Sequence, residues 1–184
     1  MVKKCKFGKW FVLLNTLILG AMAALSHFLY EFTGKSVAVG LFNPVNESVW
    51  EHLKFMFFPN IIWWVIVYFI LRKKFDIKIK NWIVTAGVSA VIAPFMTVFL
   101  YYSYTQSFGR EWLAADIIIV FISYFITLLA AFHIYKYFNA CKTAVILSSA
   151  IIAVIFFAFV VFTFVTPHIP IFCDPRSGLY GIEL

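Results

Sequence analysis

The sequence predicts an all-α polytopic membrane protein: a bundle of five transmembrane helices, N-terminus in the cytoplasm and C-terminus outside. Three observations carry this. Of the 184 residues, 64% are hydrophobic and 12% charged, against roughly half and about a quarter in soluble chains. Five apolar runs reach the roughly 20 residues a helix needs to cross about 30 Å of hydrocarbon. The basic residues lie between those runs and favour one side.

The first run covers residues 9–32, and Gly34 supplies a stop. Its basic start and Ala21-Met22-Ala23 resemble a signal peptide with a small-residue cleavage site. The apolar stretch continues to Tyr30, so a retained span is expected. The second run covers 44–71, with Asn43 as N-cap and Pro44 in the first turn. At roughly 42 Å it is longer than a crossing requires, since Leu53 to Arg72 would suffice. Its first turns, with Asn46, Glu47, Trp50, Glu51 and His52, are expected to project outward or line an outer cavity. Pro59 predicts a kink and freed carbonyls that need partners, and Pro94 does the same in the third run, 82–104. The fourth run covers 111–138. The fifth covers 143–166, ended by Pro167. The tail, 167–184, holds Pro167, Pro170 and Pro175 and is expected to be extended. Its apolar residues, Phe172 and Tyr180 among them, suit a segment folded over the outer helix ends. No part is polar enough for a separate soluble domain, so residues 1–184 read as one integral membrane domain. There is no internal repeat, and an odd span count argues against an inverted-repeat transporter.

Orientation follows from the flanks. Lys3, Lys4, Lys6 and Lys9 precede the first run. Arg72, Lys73, Lys74, Lys78 and Lys80 separate the second and third, and Lys136 and Lys142 bracket the last turn. These are 11 of the 15 Lys and Arg residues, which the positive-inside bias assigns to the cytoplasm. Topology therefore accounts for the net charge of +7, and nucleic acid is excluded as a partner. Cys5 and Cys141 fall on the cytoplasmic side and Cys173 outside, so no disulfide is expected.

The acidic residues show the opposite bias. Glu31, Glu47, Glu51, Glu111, Asp116, Asp174 and Glu183 fall outside or in the outer half of a span, as do His27, His52 and His168. His27 and Glu31 are four apart on one helical face. That face continues through Ala24, Ala23, Gly20 and Thr16, small residues that let a neighbouring helix pack closely. Both are therefore expected to face the bundle. Glu47 and Glu51 are four apart, with Lys54 three beyond. Asp116 lines up with Ser123 and Thr127.

The expected site is an outward pocket in which His27, Glu31, His52 and His168 are candidate metal ligands. Imidazole with carboxylate is the ligand set of a zinc site that keeps an open position. Glu47, Glu51 and Asp116 are candidates for acid–base work on a water activated by the divalent metal. The expected function is a metal-dependent hydrolase or transferase acting on a lipid or envelope substrate. Two alternatives stand beside it: a non-enzymatic binding or transport module for a small cation or polar ligand, and a structural partner of a membrane complex. The bland reading of the same residues is pairing alone, His27 with Glu31 and Glu51 with Lys54. No HExxH or HxxxH spacing is present. The bilayer is the one partner the composition requires.

The stretch Ser26-His27-Phe28-Leu29-Tyr30-Glu31-Phe32-Thr33-Gly34-Lys35, with Asn43-Pro44-Val45-Asn46-Glu47-Ser48-Val49-Trp50-Glu51-His52-Leu53-Lys54, resembles an uncharacterised family of small bacterial multi-pass membrane proteins, classed as a domain of unknown function. The tail from Asp174-Pro175 through Tyr180-Gly181-Ile182 is similar to that family's ending. The resemblance spans essentially the whole chain. It implies a bacterial inner-membrane location and brings no activity with it.

Overall fold

A chain in hydrocarbon must satisfy its own N–H and C=O groups, and a helix does so within one segment. The computed structural model describes residues 8–182 and folds each apolar run into a helix. The elements are α1 (Lys9–Phe32), α2 (Val37–Gly40), α3 (Val49–Leu71), α4 (Ile79–Phe108), α5 (Leu113–Tyr137) and α6 (Lys142–Phe164), then a 3₁₀ turn over Pro170–Phe172. All of the α-helices except α2 are long and apolar enough to cross a membrane. No strand occurs among the described residues; Cys173 and Tyr180 form an isolated antiparallel bridge. The chain is thus a multi-pass membrane protein. Lys3, Lys4, Cys5, Lys6 and Glu183 lie outside the described residues, and Cys141 and Cys173 are both free.

The second span departs most from expectation. It starts at Val49, and residues 44–48 form a bend instead of helical turns. The reason is a better cap. Ser48 Oγ accepts from the Glu51 N–H at 3.3 Å, and Ser48-Val49-Trp50-Glu51 has capping-box spacing. Asn43, expected as the cap, is buried instead. It accepts from the Ser26 hydroxyl at 2.6 Å and donates to the Val39 carbonyl at 3.0 Å. The overlong outer extension therefore does not form. The loop over 33–43 contains α2, α4 runs past 82–104 at both ends, and the tail carries the 3₁₀ turn. Gly34 ends α1 in the left-handed region, at φ 68°, where glycine has no steric penalty.

Polar bonds hold the helices to one another where lipid supplies no hydrophobic drive. Trp63 Nε1 of α3 donates to Asn15 Oδ1 of α1 at 2.5 Å. Asn60 of α3 and Ser89 of α4 bond each other twice, at 3.1 and 2.9 Å. Pro59 cannot donate to the Phe55 carbonyl four residues earlier. The Tyr124 hydroxyl of α5 fills that gap at 2.8 Å. Between α4 and α6 a small residue sets the distance: a Cβ on Gly87 would stand 2.6 Å from that of Ser148.

Candidate metal centre

Three of the sequence candidates meet at the end of the bundle where α1 finishes and α3 begins. His27 comes from α1, Glu47 from the bend before α3, and His52 from the first turns of α3. All three are half-buried, and one ligand atom from each lies within 4.8 Å of the others. The imidazole centroids are 5.1 Å apart. His52 Nε2 stands 3.5 Å from Glu47 Oε2.

The donor chemistry fits a metal. His52 Nδ1 is 2.8 Å from the Ser48 carbonyl. That oxygen can only accept, so Nδ1 carries a proton, and in the neutral ring Nε2 is the nitrogen with the lone pair. A histidine ligand fixed by a backbone carbonyl is the usual outer-shell arrangement. His27 Nδ1 is buried and makes no hydrogen bond. Phe55 closes the apolar side, its ring 6.1 Å from His27 and 5.4 Å from His52. Ligand atoms about 2.0–2.2 Å from tetrahedral zinc stand roughly 3.3–3.5 Å apart. The observed group is wider than that by at most about 1.5 Å.

The other candidates are not part of this group. Glu31 is exposed and turns away from the bundle to Lys35, 3.8 Å away. Lys35, in the turn just past the end of α1, takes it from His27. His168 is exposed and stacks on Tyr180, centroids 4.5 Å apart. Glu51 is buried in an ion pair with Lys54 at 2.6 Å. Glu51 Oε2 also accepts from the Val45 N–H at 3.1 Å, and Oε1 is buried without a partner. Lys54 donates further to the Gly40 carbonyl at 2.8 Å and to Thr163 Oγ1 at 2.7 Å. The pair thus joins the α2 loop, α3 and α6 at full burial, where the sequence suggested an interfacial contact. Asp116, in the first turn of α5, accepts from the Tyr104 hydroxyl at 2.5 Å and lies within electrostatic range of His52. Glu111 accepts from the Tyr101 hydroxyl.

The profile of a family of unknown function (DUF6512) matches residues 1–182. The chain belongs to this family. No curated protein and no solved structure matches it. The family assigns no chemistry, so the site rests on its own geometry.

The tail folds over the helix ends as the sequence suggested, but sequence reasoning missed which of its residues meets the site. Arg176 Nη1 lies 3.4 Å from Glu47 Oε1. Asn46 Nδ2 donates to the Gly181 carbonyl at 2.9 Å, and the Ile182 N–H donates to the Thr163 carbonyl at 2.9 Å. Trp50 packs under the tail between Phe172 and Phe159, at 4.7 and 4.9 Å. Such pairings across the length of the chain leave no mark in local spacing. The signal available was Asp174-Pro175-Arg176-Ser177-Gly178, a run of turn-forming residues in an otherwise apolar tail.

Proposed function

We propose that this is a divalent-metal-dependent membrane hydrolase or transferase, with zinc held by His27, Glu47 and His52. The convergence of those three donors, one of them a buried nitrogen without a partner, carries the reading. Two histidines and one glutamate form a known catalytic zinc set that leaves a fourth position open. A metal bound there supplies a Lewis acid and a water whose pKa falls towards 7. The chain's own residues do the rest. Ser48 orients His52, and Phe55 keeps the ligands in an apolar setting. Of the carboxylates assigned to acid–base work, Glu47 becomes a ligand and Glu51 is held by Lys54. Asp116 is left as the proton acceptor, positioned by Tyr104.

The lysine-rich turns favour the cytoplasm and so support a site on the outer face, and the family resemblance supports a bacterial inner membrane. A substrate there is a lipid head group or an envelope intermediate. The second reading, a metal-binding module without catalysis, is favoured by the engagement of Glu51 with Lys54.

Elemental analysis of purified full-length protein tests the metal reading. About one equivalent of zinc is expected, with loss in His27→Ala and in His52→Ala. A metal-free wild type, purified without chelators, rejects it. Hydrolysis of phosphate-ester model substrates then separates the two readings: Asp116→Asn should keep zinc and lose turnover in the enzyme, whereas the binding module shows no turnover to lose.

A further inference from the structure

Arg176 is left unused by the metal reading. Its side chain is 76% exposed, yet its placement is built. Asp174 is 7% exposed. Its carboxylate accepts from the Arg176 N–H at 2.8 Å and the Ser177 hydroxyl at 2.9 Å. One buried carboxylate thus fixes the backbone of the arginine that faces Glu47. A surface ion pair contributes little stability, so stabilisation is a weak reason to fix Arg176 there.

The two oxygens of Glu47 divide their contacts. Oε2 faces His52 Nε2 at 3.5 Å, and Oε1 faces Arg176 Nη1 at 3.4 Å. A metal on the imidazole side leaves the guanidinium as its neighbour across the carboxylate. Arginine carries five N–H donors in a planar fork. At this exposure most of them remain open to a ligand.

We propose that Arg176 is the oxyanion-binding residue of this site and that its ligand carries a phosphate group. The inference rests on the metal reading above. Charge supports it: a divalent ion with two neutral histidines and one carboxylate keeps one positive charge, and Arg176 adds a second. A phosphate monoester at neutral pH carries about −1.5 to −2. Shape supports it too. A phosphate can place one oxygen on the metal and present two to the guanidinium fork. A carboxylate bound to the metal has one oxygen left. A lipid head group and a free ion both carry that phosphate, and the experiment separates them.

Full-length protein in neutral detergent, loaded with zinc, is titrated calorimetrically with inorganic phosphate. A second arm uses dihexanoyl phosphatidic acid as monomers. Zinc content is measured on every sample. Arg176→Gln should retain zinc and bind phosphate about tenfold or more weakly. Arg176→Lys should recover part of the loss, since it restores charge without the fork. Phosphatidic acid binding tenfold tighter than phosphate assigns the ligand to a head group, and equal affinity assigns it to the free ion. If wild type holds no zinc, the metal reading fails and this inference with it. If zinc is bound but neither probe binds, or Arg176→Gln binds as wild type does, the inference alone fails. Loss of zinc in Arg176→Gln also overturns it, because Arg176 would then only support Glu47.

Discussion

The Glu51–Lys54 pair gives the sharpest stability prediction. Both side chains are essentially inaccessible, at 2% and 0% exposed, so neither charge has water to fall back on. Lys54 Nζ has three protons and three acceptors: Glu51 Oε2, the Gly40 carbonyl and Thr163 Oγ1. Glu51→Gln keeps the shape but leaves the ammonium uncompensated. Lys54→Met leaves a buried carboxylate facing the Val45 N–H alone. Breaking a buried pair from one side costs about 3–5 kcal/mol. For a chain of this size that is a fall in Tm of roughly 6–20 °C. Glu51→Gln with Lys54→Met removes both charges. Its remaining cost is chiefly the Gly40 carbonyl left without its donor, about 1–3 kcal/mol. The double variant should therefore be no worse than either single, with a coupling energy of about 3 kcal/mol or more. Thermal unfolding in detergent, followed by circular dichroism, measures all four proteins. Single effects below about 1 kcal/mol, or a double variant equal to the sum of the singles, would refute the reasoning.

Three further outcomes follow from the packing. Tyr124→Phe should destabilise by about 1–3 kcal/mol, because it strands the Phe55 carbonyl that Pro59 leaves free. Pro59→Ala restores a helical donor to that carbonyl, so the cost of Tyr124→Phe should shrink in that background; equal cost in both removes the explanation. Gly87→Val should cost about 1–3 kcal/mol by forcing α4 from α6, with relief from Ser148→Gly but not from Ser148→Ala, read by thermal unfolding. Burial raises the Asp174 carboxyl, but hydrogen bonds from the Arg176 N–H and from Ser177 outweigh it and hold the group below its ordinary value. A lowered folded value means stability present above the unfolded value, near 3.9, and lost as the pH falls through the folded one. The stability gap between wild type and Asp174→Asn should therefore be full at pH 6 and close in strong acid; a gap constant with pH would contradict it.

The fold was largely legible because the bilayer imposes one length on every crossing. The first span ran from Lys9 to Phe32 in both readings, since a glycine and a charged turn bound it. The start of α3 was not, because two caps competed. Asn43-Pro44 is a good local pair, but Asn43 bonds Ser26 of α1 across the loop, and Ser48 with Glu51 wins the helix. The site was legible in composition more than in grouping. His27 and His52, expected as ligands, stand together, and Glu47, expected in acid–base work, is the carboxylate beside them. Spacing placed Glu31 beside His27 but could not rank that pairing against Lys35, which the left-handed turn after α1 brings back to it. Glu51 sits next in sequence to His52, and a helix sends adjacent side chains to different faces. Arg176 was invisible because a turn built on Asp174 positions it, far along the chain from Glu47.

X-ray absorption at the zinc edge, on full-length protein loaded with one equivalent, tests the metal centre most directly. Two imidazole ligands at about 2.0–2.1 Å are expected, with oxygen filling the remaining positions. A shell containing sulfur, or one with no imidazole scattering, would place the metal away from His27, Glu47 and His52 and contradict it.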